Sequence, residues 1–437
     1  MLTVARGEWM RRLLYCVIAL LFAVPAAAGS DFDRFFADGA LRVDFYHTGT
    51  AETEVFSLDE LVCEPVWAGN PHALVDTMNL GGYLVRVFDL ETNRLVFSRG
   101  YCTIFGEWAT TDEALAGFAR TFHESVLLPF PRGRVQVRID RRDRKNVFRN
   151  VWDLVVDPAD ISIRENRRFR DCRVRTIVEN GPPGLSVDLL ILGDGYRSNQ
   201  KHKLRGDVER FVEAFFDTEP FRSRRRDFNV RYVECFSADA GVDDPRAGRW
   251  VDNTLGLSFN SLGIDRYMIS THNKRIRDIA AAAPYDLVIL LANEEKYGGG
   301  GIFRLFSACI SDNEWDEYVF VHEFGHAFAG LGDEYFSSQV TYNDMYPRGV
   351  EPWEPNITAL LDPDNLKWAD LVEPGTAIPT PDDSTLAGVV GAFEGAGYSA
   401  KGLYRPTLDC RMFSKGLAPF CPVCRRAIER MIDFHTR

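Results

Sequence analysis

A segment in the second half of the chain, HEFGHAFAGLGDEY (His322–Tyr335), has residue types and spacing suited to metal-assisted hydrolysis. Residues four apart on a helix share a face, so His322 and His326 can present two imidazoles to one zinc ion. Glu323 can then take a proton from a zinc-bound water, whose pKa the metal lowers to roughly 7. The flanking residues are apolar, and burying these three polar side chains is costly unless they coordinate something. The pattern predicts zinc-dependent hydrolysis of an amide bond.

The third ligand of such a site has to come from beyond His326, and no further histidine follows within reach. Gly330 ends the apolar helix and can adopt the left-handed conformation that reverses the chain. Asp333 stands three residues later, which is the step from glycine to ligand in the metzincin string HExxHxxGxxH, with both positions displaced by one residue. We expect Asp333 to bind the metal, with Glu334 as the alternative. If Asp333 is the ligand, Glu334 points away and supports the site, for instance by orienting a histidine.

The elements that must position these residues fall into two regions, and 437 residues are enough for two domains. From residue 40 to 157, apolar residues alternate in period two between turn residues, which indicates a small antiparallel β-sandwich. After NGPPG (Asn180–Gly184), buried strands alternate with helices, which indicates an α/β layer. The predicted class is mixed α+β, with an N-terminal β-sandwich domain (residues 29–165) and an α/β catalytic domain (residues 166–437).

The N-terminus has the pattern of a secretory signal. Arg11 and Arg12 precede the apolar run LLYCVIALLFAVP (Leu13–Pro25), and Ala26–Ala28 forms an A-x-A cleavage site. The run is too short to span a bilayer with these flanks, and no later stretch is long and apolar enough. We expect residues 1–28 to be removed, and the mature chain, without a transmembrane segment, to be exported to a periplasm or outside the cell.

The net charge and the cysteine content bear on which classes of molecule the protein binds and on the compartment in which it works. The formal net charge of −12 argues against nucleic acid as a partner. The 9 cysteines, less Cys16 in the signal, leave an even number in an oxidising compartment, so disulfide bonds are expected. CPVC (Cys421–Cys424) lacks a preceding strand, which favours a structural bridge over redox chemistry. The pairs that are plausible by region are Cys63 with Cys102, Cys235 with Cys309, and Cys410 with Cys421 or Cys424.

Three long motifs carry a family resemblance. HEFGHAFAGLGDEY, with FNVRYVECFSADAGVDDP before it and GLYRPTLDCRMFSKGLAPFCPVC after it, resembles the IgA-peptidase family of zinc metallopeptidases, which is metzincin-like in fold. The similarity extends over nearly the whole mature chain. It implies zinc on His322 and His326, Glu323 as the base, and Met412 as the methionine of the turn beneath the metal. The founding activity of the family is cleavage of immunoglobulin A, but the resemblance does not decide the substrate of this chain.

Some features keep two interpretations on the sequence alone. Gly298–Gly301 is either an edge that pairs with an extended peptide or a flexible rim. Tyr335 either stabilises an oxyanion or packs. Glu394 and Arg405 either shape the cleft or pair structurally.

These observations lead to an exported zinc metalloendopeptidase that acts on protein or peptide substrates. One alternative is a zinc amidase acting on cell-wall peptides, which the same chemistry permits. Another is an inactive metzincin-like binding module, although the intact His322, Glu323 and His326 argue against it.

Overall fold

The computed structural model describes residues 30–166, 172–337, 345–416 and 418–437, and the predicted signal peptide lies outside these ranges. The predicted mixed class is confirmed: a β-rich N-terminal region precedes a region in which helices pack against a larger sheet. Within the described ranges, no helix combines the length and apolar character needed to cross a membrane.

The N-terminal region is a sandwich of two four-stranded sheets. Its elements are α1 (Asp31–Phe35), β1 (Phe36–Gly49), β2 (Glu54–Glu64), β3 (Tyr83–Asp89), β4 (Arg94–Tyr101), α2 (Ile104–Trp108), α3 (Asp112–Leu115), β5 (Arg120–Pro131), β6 (Val135–Arg142), β7 (Phe148–Val156) and β8 (Arg164–Glu165). The strand orders are β5-β1-β2-β8 and β4-β3-β6-β7, antiparallel except for the β2–β8 pair. Alternate residues of both sheets, such as Leu41, Val43, Val85 and Val87, fill one core, as period-two patterning dictates.

The second region is built on a six-stranded sheet. Its elements are β9 (Arg173–Val178), β10 (Val187–Asp194), α4 (Lys201–Asp217), β11 (Phe228–Glu234), β12 (Leu257–Ser258), β13 (Ile269–Ser270), α5 (Asn273–Ala280), β14 (Leu287–Ala292), β15 (Gly299–Ile302), β16 (Phe306–Ile310), α6 (Asp316–Ala329), β17 (Phe393–Ala396), β18 (Ser399–Arg405) and α7 (Pro422–Thr436). The sheet order is β15-β16-β14-β10-β11-β9, with parallel inner strands and antiparallel edges at β15 and β9. The apolar β10 and β14 are buried on both faces, as parallel strands covered by helices require.

Helix α6 carries the HExxH residues and lies against β15 and β16, with α4 and α7 alongside. Its aromatic residues pack into the core, where the ring of Phe320 stacks on Phe211 at 5.1 Å. Because the helix is apolar on nearly every face, its two histidines stand out as buried or half-buried polar groups in a hydrophobic element.

The two regions are held together by ion pairs, of which one is fully buried and another half-buried. Arg42 of β1 is fully buried and pairs with Glu64 at 2.8 Å and with Asp278 of α5 at 2.6 Å. Arg304, after β15, pairs with Asp76 of the N-terminal region at 2.7 Å. Removing Arg42 would leave buried carboxylates without their cation, at a cost of about 3–5 kcal/mol. The predicted boundary at residue 165 lies between β8 of the sandwich and β9 of the larger sheet, and it stays a prediction.

Candidate active site and metal centre

The end of helix α6 returns the chain over its own last turn. Gly330 has a φ of 63°, in the left-handed region, and its N–H donates to the carbonyl of His326 at 3.0 Å. The bond from Gly330 is that of an αL cap, and Leu331 N–H adds a further bond to Gly325 O at 3.3 Å. The reversal predicted from Gly330 is therefore present, and it brings residues 331–335 back toward the histidines.

Three ligand atoms converge at this point. The Nε2 atoms of His322 and His326 are 3.1 Å apart, and Asp333 Oδ1 lies 3.1 Å from the first and 3.3 Å from the second. These values are close to the edge of roughly 3.3 Å expected between nitrogen or oxygen ligands on one tetrahedral zinc ion. The structure thus brings together the three residues predicted as metal ligands; their binding of a metal stays a prediction.

Backbone carbonyls orient both imidazoles. Arg411 O lies 3.0 Å from Nδ1 of His322, and Leu331 O lies 2.5 Å from Nδ1 of His326. Because a carbonyl only accepts, each neutral ring carries its proton on Nδ1 and directs the Nε2 lone pair at the other ligand atoms. Three lone-pair atoms at this separation repel one another unless a proton or a metal ion lies between them. Two imidazoles and a carboxylate are donors that zinc accepts in catalytic sites, so the residues fit the ion.

The electrostatics of the cluster also favour a positive charge. Burial lowers the pKa of His326, but the Asp333 carboxylate outweighs it and raises the pKa to about 9. Burial acts to raise the pKa of Asp333, yet the two histidines hold it well below its usual range. The hydroxyl of Tyr398 donates to Asp333 Oδ2, which leaves Oδ1 facing the histidines. The Asp333 carboxylate is thereby kept ionised and aimed into the cluster.

Glu323 lies beside the histidines on the same helix, against the glycines of β15. A Cβ on Gly299 would lie 3.0 Å from Glu323 Cγ, and one on Gly301 would lie 2.9 Å from the Cβ of His326. The glycines therefore let the edge strand approach the helix. Burial raises the pKa of the Glu323 carboxyl, in the direction that a general base working near neutral pH needs.

The strand interpretation of the glycine run fits the structure better than a flexible rim. Gly299–Ile302 forms β15 at the sheet edge, antiparallel to β16. Its outer side is already engaged at one point, since Met268 N–H donates to Gly299 O at 3.0 Å. An extended peptide that paired along this edge would therefore have to do so beyond Gly299.

Met412 and Glu334 lie beside the site and are joined to each other by a backbone hydrogen bond. The N–H of Glu334 donates to Met412 O at 2.8 Å. The Met412 side chain is fully buried, and its sulfur would lie 3.2 Å from a Cβ on Gly325, so it packs under the helix next to His326. The Glu334 carboxylate turns away from the histidines and accepts from Asn356 Nδ2 at 2.9 Å. Within the described part of the chain its carboxylate contacts an amide and two thiols and no histidine, so it supports the turn and not an imidazole.

A cleft of about 380 Å³ opens above these residues, and both regions of the chain form its walls. The N-terminal region contributes side chains such as Tyr83, Glu107 and Arg141, none of which the sequence analysis singled out. Arg266 and Tyr398 were also missed; the only sequence signal for Tyr398 is its place between glycine and small residues, and its φ of 62° marks a constrained turn. Tyr335 lines the cleft, with its hydroxyl 3.4 Å from Arg266 Nη2.

Glu394 and Arg405, for which the sequence left two interpretations, make contacts of a structural kind. Glu394 pairs with the exposed Lys401 at 2.8 Å, and Arg405 donates to the carbonyls of Glu394 and Gly395. Both belong to the β17–β18 hairpin, and this favours the structural interpretation.

All cysteines of the described residues are unbonded thiols, so the predicted disulfide bonds stay predictions. Cys235 lies within hydrogen-bonding distance of Cys172, a pair that grouping by region did not include. The sulfurs of Cys410 and Cys424 are 3.8 Å apart.

Comparison with known families agrees with this arrangement. The model described as IgA Peptidase M64 matches residues 176–387 and 382–432, and the model of the peptidase M64 N-terminus matches residues 31–153. A search of curated proteins found no match. The two models cover the β-sandwich and the HExxH region in the order in which they occur here. The chain therefore belongs to the IgA-peptidase M64 family and is a peptidase.

Proposed function

We propose that this peptidase is an exported, zinc-dependent metalloendopeptidase that hydrolyses peptide bonds of protein substrates. The observation that carries the proposal is the convergence of the His322, His326 and Asp333 ligand atoms beside Glu323, at the floor of a cleft. A catalytic zinc site has three protein ligands and one position left for water or substrate, which matches this set.

In this proposal His322, His326 and Asp333 hold the zinc ion. When bound, zinc polarises the scissile carbonyl and lowers the pKa of a coordinated water. The carbonyls of Arg411 and Leu331 keep the two imidazoles in the tautomer that can coordinate a metal.

Glu323 moves the proton of the reaction. Its carboxylate accepts a proton from the attacking water and later donates it to the nitrogen of the leaving amine. The raised pKa of its carboxyl supports both halves of this role, because a very weak base would hold the proton poorly.

Tyr335 and Arg266 are placed to stabilise negative charge on the carbonyl oxygen. Burial raises the pKa of the Tyr335 hydroxyl well above its usual value, so the hydroxyl stays protonated and can donate. The Arg266 guanidinium next to it keeps positive charge at the same wall of the cleft. Donors that are already oriented in this way stabilise the transition state without reorganisation.

The shape of the cleft supports a polypeptide substrate, because its walls come from two separate regions of the chain and leave it open. The N-terminal apolar run supports export. The cell-wall amidase is the main competitor, and none of the described residues that line the cleft favours it.

The test uses the mature chain, from residue 29 onward, purified and supplied with zinc. We expect cleavage at internal bonds of an unfolded casein-type protein, read by mass spectrometry of the fragments, and none in Glu323→Gln. Release of peptides from a purified wall fragment with no cleavage of casein would replace the proposal by the amidase. Inactivity of the zinc-loaded wild type on both substrates would favour the binding module.

A further inference from the structure

A second cluster of ligand-type side chains lies next to the catalytic one. It consists of Glu334, Cys410, Cys421 and Cys424, which we call the thiol cluster. All four side chains are buried, and one ligand atom from each lies within 4.8 Å of the others. Nothing in the proposed reaction uses these residues.

The distances in the thiol cluster resemble those of a tetrahedral metal site. Cys410 Sγ and Cys424 Sγ are 3.8 Å apart, and two thiolates at a Zn–S distance of about 2.3 Å on a tetrahedron are separated by roughly 3.8 Å. Glu334 Oε1 lies 3.0 Å from Cys424 Sγ and 4.0 Å from Cys421 Sγ. These values lie on either side of the roughly 3.5 Å expected between a sulfur and a carboxylate oxygen on one zinc ion.

Backbone N–H groups are directed at the sulfurs, as they are when sulfur carries negative charge. Cys421 N–H donates to Cys410 Sγ at 3.2 Å, and Cys424 N–H donates to Cys421 Sγ at 3.5 Å. Cys421 caps the N-terminus of α7, where the helix dipole favours an anion. The backbone therefore stabilises thiolates at this place.

The carboxylate of Glu334 supplies an independent sign of a missing partner. Its Oε2 atom is buried and has no hydrogen-bond partner in the part of the chain that the structure describes. A buried carboxylate oxygen without a partner is costly unless a cation or a proton satisfies it. The Asn356 amide donates to its other oxygen, and the positive charge of Arg405 acts on the carboxylate without a hydrogen bond to it. The other groups near it are thiols, and a cation bound by those thiols would satisfy Oε2.

We propose that Cys410, Cys421, Cys424 and Glu334 bind a second, structural zinc ion. Three thiolates and one carboxylate form a closed set of four, and buried tetrahedral sites rich in thiolate select zinc. The C-x-x-C pair on a helix start, joined by ligands from distant segments, is a usual arrangement for such sites.

A metal ion at this site would fix the position of the segment that carries Asp333. Glu334 directly follows Asp333, and Cys410 stands two residues before Met412, whose carbonyl accepts the Glu334 N–H. A metal at the thiol cluster would fasten the segment that carries the third catalytic ligand to the turn under the HExxH helix and to α7. It would position Asp333 without touching the substrate.

Disulfide formation competes with zinc binding at these cysteines, because the chain is predicted to be exported. Oxidation of Cys410 and Cys424 would join their sulfurs with loss of two hydrogens to a cellular oxidant and leave Cys421 without a full ligand set. The experiment must therefore separate a metal from a disulfide, and both from the catalytic zinc.

The decisive protein is the mature chain with His322→Ala and His326→Ala, which removes the catalytic ligands and leaves the thiol cluster intact. We expect about two zinc ions per wild-type chain and about one in this double variant, with X-ray absorption showing sulfur neighbours. Cobalt in place of zinc should give thiolate-to-metal charge-transfer absorption in the double variant. This result does not depend on peptidase activity, so it stands or falls separately from the proposed function.

Two further measurements complete the test. The double variant Cys421→Ser with Cys424→Ser should bind one zinc ion fewer per chain than the wild type. Cys63→Ser, which changes a cysteine of the sandwich, should leave the zinc content unchanged. A folded double-histidine variant that holds no zinc after reconstitution under reducing conditions would overturn the proposal. So would peptide mapping of the unreduced, secreted protein that shows Cys410 bonded to Cys424.

Discussion

Asp333 and Glu334 are neighbours in sequence, but their side chains enter two different clusters. Asp333 joins two imidazoles at the floor of the cleft, where our proposal leaves one coordination position open to water and substrate. Glu334 joins three thiols in a buried pocket where four side chains complete the set. A site that keeps an open position can do chemistry, whereas a closed one can only hold the chain together.

The backbone around each cluster differs in the same way. Carbonyl oxygens face the histidines, which must donate from Nδ1 to leave Nε2 free. N–H groups face the sulfurs, which accept when they are thiolates. The polarity of the surrounding backbone thus matches the protonation state in which each ligand type binds metal.

Loss of the base should have the largest effect, and only on the open site. Glu323→Gln keeps the shape of the side chain and removes its basicity, so turnover should fall by about 10²–10⁴-fold with zinc content unchanged. Peptidase assays and metal analysis on the same sample check this. Glu317→Gln, an exposed glutamate of the same helix, is the matched control and should keep full activity. Wild-type turnover in Glu323→Gln would place the base elsewhere.

Metal removal should separate the two clusters. A chelator should strip the open site first, abolishing activity with little change in the unfolding temperature. Removal of the closed site should then lower the free energy of unfolding by on the order of 4 kcal/mol, as expected for a ligand at a thousand times its Kd. Zinc content, activity and thermal unfolding are followed together. Loss of all zinc in one step would mean that the clusters do not differ as described.

Substitution of the two adjacent carboxylates tests which of them belongs to which site. Asp333→Ala should weaken zinc in the cleft by more than about 100-fold, because it removes a direct ligand, while Glu334→Ala should weaken it by no more than roughly 10–100-fold. Titration of the zinc content with a competing chelator gives both affinities. The reverse order would make Glu334 the catalytic ligand and end the analogy with the metzincin pattern.

Met412→Leu should have the smallest effect. The two side chains have similar volumes, so the change should cost less than about 1.5 kcal/mol of unfolding free energy and leave zinc in the cleft. Chemical denaturation and metal analysis measure the two quantities. Loss of the cleft zinc from a folded Met412→Leu variant would contradict a packing role under the helix.

Local patterns in the sequence were enough to predict several features. The i, i+4 pair His322 and His326 needs only helical geometry, and Gly330 needs only its own backbone freedom to end the helix. The period-two alternation from residue 40 to 157 likewise predicts the sandwich, because the apolar residues of each strand fall on one face, which is the face that is buried. The family resemblance rests on the same contiguous motifs and is confirmed by the family models.

Only the tertiary structure decided what lies on either side of the segment from Leu331 to Tyr335. The three-residue step from Gly330 favoured Asp333 but left Glu334 as the alternative. The segment has no regular period, and the directions of the two side chains depend on partners such as Tyr398 and Asn356. The thiol cluster joins residues as much as 90 positions apart, and cysteine spacing alone could not place a glutamate among them. Such contacts are determined by packing between distant segments of the chain, and local sequence patterns do not specify that packing.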